Sequence, residues 1–173
     1  MSQLDEFRRQ KDDFFKHDPA SPLTPEQRQT FTGLSYYPEN PALRFKSTID
    51  EYPDKQTLTM ITSTGGVREY LKYGQFTFEV SGEKASLQIY QDPDQGFFFL
   101  PFVDVTAPDE TYGAGRYLEV EPVGKNPFLI DFNYAYNPYC AYNPDWACPI
   151  PPKENRLSVK IEAGEKKYDS SAH

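Results

Sequence analysis

Apolar and polar residues alternate with a period of two through the middle of the chain, interrupted by short turn sequences. Phe76, Phe78 and Val80 alternate with Thr77 and Glu79, and Leu87 and Ile89 alternate with Gln88 and Tyr90. This is the pattern of antiparallel strands with one face buried. It predicts strands at 42–49, 56–63, 67–73, 75–81, 85–91 and 97–103, joined by turns such as Thr64-Gly65-Gly66 and Ser81-Gly82-Glu83. Three further strands are predicted at 115–121, 127–132 and 156–162. In the last of these Leu157, Val159 and Ile161 point one way and Ser158 and Lys160 the other.

Before the strands the period is helical. Residues 2–16 read as a helix capped by Ser2, with Asp5 at the third position and Leu4, Phe7, Lys11, Phe14 and Phe15 along one stripe. Such a stripe is expected to lie across a sheet; the functional alternative is a partner-binding face. Thr24-Pro25-Glu26-Gln27 is a second start signal, for a short helix reaching about Phe31. The expected fold is mainly β: an antiparallel β-barrel or two-sheet sandwich of about nine strands, with one or two N-terminal helices packed on it. A single domain is expected over 1–173, with a helical segment at 1–33, a β core at 42–162 and a flexible tail at 166–173.

One stretch fits neither period. Residues 131–155 gather both cysteines, the only tryptophan, and several tyrosines, asparagines, prolines and carboxylates. Long ordered loops in compact domains are usually binding loops or lids, and the ring content argues against a linker.

Composition narrows the function. Aromatic residues make up 16% of the chain, so rings fill much of the core. The net charge of −8, with no local cluster of Lys and Arg, disfavours nucleic acid and anionic membrane surfaces as partners. The charged N-terminus does not resemble a signal peptide, and no apolar run is long enough to span a membrane; a cytoplasmic protein with reduced thiols is expected. The two histidines, His17 and His173, lie in polar segments. Histidine-based triads and zinc sites are therefore disfavoured, and no metal is assigned.

The segment from Thr111 to Leu118 carries Gly113 and Gly115, but it lacks the third small residue of a dinucleotide fingerprint and leads into a strand. Its glycines are expected to permit positive φ or close backbone approach at the strand entrance. Tyr112 and Arg116 from this segment join the candidate ligand-binding set. Arg116 is read either as the partner of Asp104, Asp131 or Glu154, or as a clamp for a ligand's acidic group. Asp131 and Asn133 flank Phe132 and are expected to share a side; Asn137, Glu154 and Asn155 complete the set. Asp131 and Glu154 would be the acid–base pair of a hydrolase-type enzyme if they faced each other. Cys140 and Cys148 are read as buried thiols, then as a reversible disulfide around Trp146, then as a nucleophile. Trp146, with Tyr134, Tyr136, Tyr139 and Tyr142, either lines a pocket or seals the core.

Several of these segments together resemble the DUF1684 family of uncharacterised bacterial and archaeal proteins. They are Ser21-Pro22-Leu23, Phe31-Thr32-Gly33-Leu34-Ser35-Tyr36-Tyr37, Thr111 to Leu118, Asp131 to Pro138, Cys148 to Leu157, and Ile161 to Glu165. Tyr139 stands where the resemblance implies a proline and Ile150 where it implies a leucine. The resemblance spans nearly the whole chain and implies one domain, with no established activity, cofactor or catalytic residue. The functional expectation is a binder of a small polar or anionic molecule at one end of the barrel or sandwich. A carboxylate-based hydrolase and a structural or protein-interaction domain are the alternatives. Whether a reaction is catalysed, which cofactor is used and the oligomeric state stay open.

Overall fold

In the computed structural model, which describes residues 2–168, the alternating segments form seven strands. They are β1 (Arg44–Ser47), β2 (Asp50–Ile61), β3 (Val67–Val80), β4 (Glu83–Gln91), β5 (Phe98–Phe102), β6 (Arg116–Pro122) and β7 (Phe128–Asp131). They pair antiparallel in the order β1-β7-β6-β5-β4-β3-β2, and the sheet curls into a half-barrel. One sheet stands where about nine strands in a barrel or sandwich were expected. The two differences have local causes.

The segments predicted at 67–73 and 75–81 are one strand. Between them the β3–β4 register shifts at Lys72 to Gly74, a bulge that a break in alternation mimics as a turn. Gly74 is needed there because β2 crosses so closely that an added Cβ would stand 2.7 Å from the Asp50 carbonyl oxygen. The stretch 156–162 keeps its alternation, with Val159 and Ile161 buried and Ser158 and Lys160 exposed, but joins no ladder. It runs beside the chain that follows β5, held by Leu157 N–H to the Val103 carbonyl (2.7 Å) and Val105 N–H to the Val159 carbonyl (3.1 Å). Its Ile161 N–H goes to a side chain, Oδ2 of Asp104 (2.6 Å).

Alternation supplies both faces of the sheet with rings. One face, with Phe76, Phe78, Leu87, Ile89, Leu100, Phe102, Leu118, Phe128, Ile130 and Phe132, packs under Val159, Ile161 and Ala163. The other carries Met60, Tyr70, Tyr90, Phe99 and Tyr117, against Cys148 of the long loop. Stacked and edge-on ring pairs such as Phe76–Phe78 (4.7 Å) and Phe99–Tyr117 (4.8 Å) run through both layers.

Helix α1 (Gln3–His17) starts with the expected capping box between Ser2 and Asp5, and α2 (Pro25–Thr30) with the one between Thr24 and Gln27. The apolar stripe of α1 meets the long loop: Phe7 stands against Tyr134 (4.9 Å), and Phe15 against Tyr142 (5.0 Å) and Tyr139 (6.2 Å). The helix therefore reaches the sheet through this loop. Of the expected tail, Lys166 and Lys167 donate backbone N–H groups to Ser35 and Glu110, and Tyr168 packs on Tyr142. The rest of that tail, 169–173, including His173, lies outside the described residues. No helix among the described residues is long and apolar enough to cross a membrane.

Candidate functional site

The seven residues singled out from sequence are dispersed, and most serve as internal ties. Arg116, at the start of β6, is 1% exposed. Its Nη1 donates to the Ala163 (2.5 Å) and Glu165 (3.1 Å) carbonyls, and its Nη2 to the Ile161 carbonyl (2.8 Å) and to Asp104 Oδ1 (3.3 Å). Burial pulls its pKa down, opposed by the Asp104 charge. Arg116 is thus the partner of Asp104, one of the two readings its sequence allowed, and a clasp on residues 161–165, its fork holding three carbonyls and a carboxylate with Nε left unpaired.

Asp131 caps the 3-10 turn that follows β7, accepting from Asn133 N–H (3.0 Å) and Nδ2 (2.8 Å), and pairs with Arg44 Nε (2.9 Å). Asn133 exchanges two bonds with the backbone of Asn40. Asn155, wholly buried, accepts from Gln88 N–H and donates to the Gln88 and Pro101 carbonyls, tying the end of the loop to β4 and β5. Asn137 donates its N–H to Glu165 and its amide to Tyr142 and the Lys166 carbonyl. Glu154 takes Lys72 Nζ (2.8 Å) and the Tyr90 hydroxyl. Burial raises its pKa, but the bonds from Lys72 and Tyr90 outweigh that and leave it lowered. The carboxylates of the hydrolase reading are held apart: Asp131 by β1 at one edge of the sheet, Glu154 by β3 and β4.

Tyr112 is different. Its hydroxyl donates to Cys140 Sγ (3.8 Å), and burial with this thiol beside it pushes its pKa up to about 12. Cys140 N–H donates to Cys148 Sγ (3.3 Å), and the neighbouring Cys148 thiol acts on the Cys140 sulfur as a donor. Both are free. The bond from Cys148, aided by Tyr112 and Ser63, outweighs burial and pulls Cys140 down to about 6, while Cys148 is pushed up as the donor.

Cys148 borders a groove of about 650 Å³ between α1, β6 and the long loop. Phe7 and Phe14 form its helix wall; Tyr136, Tyr139, Trp146 and Cys148 form the loop wall; Tyr117 and Glu119 of β6 form the floor. Trp146 is 42% and Phe7 40% exposed, so the rings face solvent. Trp146 stands edge-on to Tyr139 at 5.1 Å. Burial pushes the phenols of Tyr117 and Tyr136 up, keeping both protonated at neutral pH.

Three charged groups line this groove. Lys11 pairs with Glu165, whose other oxygen accepts from Tyr142 (2.6 Å) and Asn137, and lies over the Tyr136 ring at 5.0 Å. Glu119 accepts from the Tyr136 hydroxyl (3.1 Å). Arg68, exposed at the start of β3, donates from Nη2 to the Ala147 carbonyl (3.0 Å). No group of three or more His, Cys, Asp or Glu side chains suited to a metal occurs among the described residues. Sequence reasoning singled out the loop's rings and thiols but missed Phe7, Lys11, Arg68 and Glu119 as site residues. The readable signal was a lysine inside an apolar helical stripe.

Searches of known proteins place these features in a family. No curated protein matches. An uncharacterised protein of Haloarcula marismortui, solved by solution NMR, is similar at 32% identity, with 99% of this chain and 95% of that one covered and a TM-score of 0.73. The model of a protein family of unknown function matches residues 29–166, which hold the half-barrel, the clasp of Arg116 and the whole loop, and the chain belongs to that family, DUF1684.

Proposed function

We propose that the protein binds a small molecule with a flat, largely apolar body and one acidic group, held in the groove between α1, β6 and the 131–155 loop. The observation that carries this reading is the exposure of Trp146 and Phe7 across a ring-lined concavity. Solvent-facing rings around a cleft of this size are the usual make-up of a ligand site. The acidic group of the ligand meets Arg68, whose fork donates one bond to Ala147 and keeps further donors free to pair with a carboxylate. Lys11 is already neutralised by Glu165, so it contributes its position over Tyr136 and little free charge. The anion-binding role expected of Arg116 is here assigned to Arg68.

Trp146 is the only tryptophan, and it reports on the groove directly. Anilinonaphthalene sulfonate, an aromatic anion, is expected to bind saturably and quench Trp146. Ala147→Phe, which fills the groove, abolishes both signals, and Arg68→Ala weakens binding by roughly tenfold, the value of one charge-assisted bond. Dye binding that does not saturate, or that is equal in both variants, overturns the reading.

A further inference from the structure

We propose that Cys140 and Cys148 form a peroxide-reactive dithiol site, in which Cys140 is the attacking sulfur and Cys148 the resolving one. Three geometric observations support it, none dependent on what occupies the groove. The Cys140 N–H lies 3.3 Å from Cys148 Sγ, which brings the second sulfur against the backbone of the first although they are eight residues apart in sequence. Cys140 is half-buried, so a small oxidant reaches it, while Cys148 is 7% exposed, with only an edge in the groove wall. The Tyr112 hydroxyl is aimed at Cys140 Sγ from a different segment, an arrangement that favours the thiolate there and supplies a donor beside the reacting sulfur. A pair of inert core thiols needs no such donor.

The chemistry balances with a hydroperoxide as the oxidant. The Cys140 thiolate attacks one peroxide oxygen, the O–O bond breaks, and the leaving alkoxide or hydroxide takes the proton released when Cys140 ionised. Cys140 is now a sulfenic acid. The Cys148 sulfur displaces its hydroxyl, an S–S bond forms, and water leaves with the Cys148 proton. The two thiols give up two electrons and the peroxide is reduced to an alcohol or water.

The loop is suited to this step. Cys148 is held by an N–H to Ser63 Oγ (3.1 Å) and by its carbonyl to Ser63 N–H (2.9 Å), which anchor it to the end of the β2–β3 hairpin. Cys140 sits in a short 3-10 turn, Tyr139–Ala141, outside any ladder, where a modest rotation meets little resistance. Trp146 lies inside the ring that the disulfide closes, so its emission reports the reaction.

The full-length reduced protein is treated with one equivalent of hydrogen peroxide, then alkylated and mapped by mass spectrometry. Expected is a species two hydrogens lighter, with Cys140 linked to Cys148 and Trp146 emission altered. Cys148→Ser stops at a sulfenic acid that dimedone traps on Cys140. Cys140→Ser reacts at least tenfold more slowly. Equal oxidation of both variants, or a wild-type product without the 140–148 link, overturns the assignment. If a serine variant unfolds by near-UV circular dichroism, pulse alkylation of partly oxidised wild type decides: sulfenic acid appearing first on Cys148 overturns it.

Discussion

Arg116 Nη2 and Asp104 Oδ1 stand 3.3 Å apart with side chains 1% and 2% exposed, an ion pair shut inside the half-barrel. Asp104 is also held by the Thr106 hydroxyl and by the Ile161 N–H, so the pair links β6, the chain after β5 and the C-terminal segment. Arg116→Ala leaves a buried carboxylate without its counter-charge and three carbonyls without their donor. A loss of about 3–5 kcal/mol is expected, read by urea denaturation. Arg116→Lys keeps a charge but not the fork, and recovers only part of it. Binding of the dye in the groove stays unchanged in any Arg116 variant that folds, whereas retained stability with lost binding restores Arg116 as a ligand clamp.

Gly115, one residue before this arginine, has φ +104, and a Cβ there would meet the Phe102 carbonyl oxygen at 2.7 Å and Val103 Cγ2 at 2.9 Å. The left-handed backbone and the close crossing of β5 both demand glycine. Gly115→Ala is expected to lose roughly 1–3 kcal/mol from backbone strain, before any loss from displacing β5. A thermal melt unchanged from wild type sinks this account.

The conformational demand at Gly115 was legible in the sequence, as were the helix caps at Ser2 and Thr24 and most strand centres, because each follows from local geometry. The seven strands differ from the nine expected where tertiary contact outvotes local pattern. Gly74 reads as a turn but marks a bulge, and 156–162 alternates like a strand yet finds its partners in Val103, Asp104 and Val105. Site prediction suffered from the same limit. Polar residues at strand ends, such as Asp131 and Asn155, look the same in sequence whether they face a ligand or tie the chain together. The groove joins Phe7 of α1 to Trp146 of the loop and Arg68 of β3, a meeting no spacing encodes.

Asn155 provides a sharp test of that structural role. Its oxygen accepts from Gln88 N–H (2.8 Å), and its amide donates to the Gln88 (3.0 Å) and Pro101 (2.7 Å) carbonyls, all buried. Asn155→Asp keeps the acceptor but turns a charged oxygen toward two carbonyls, so it should destabilise more than Asn155→Ala, which leaves the N–H and both carbonyls unpaired but without repulsion. Each orphaned group costs about 1–3 kcal/mol. The denaturation midpoints of the two variants check the order; Asp equal to wild type removes the argument.

The thiols give a pH signature. Cys140 is drawn down to about 6 by the Cys148 hydrogen bond, against its own burial and with help from Tyr112 and Ser63. The other charged group acting on the pair is Arg68, which favours the thiolate at Cys148, while Tyr117 and Tyr112 stay neutral. Because the thiolate is the reactive form, and it is the form present above the pKa, alkylation of Cys140 by iodoacetamide should rise through pH 6 and level off by about pH 7.5. An ordinary thiol climbs until about pH 9. Cys148→Ala removes the principal donor, so the midpoint should move upward; Tyr112→Phe should move it upward by less. Mass-resolved alkylation of Cys140 across pH 5–10 reads all three curves. A wild-type midpoint near 8.5 that neither substitution moves would mean that the sulfurs are too far apart to share a proton, and the dithiol site would lose its attacking residue.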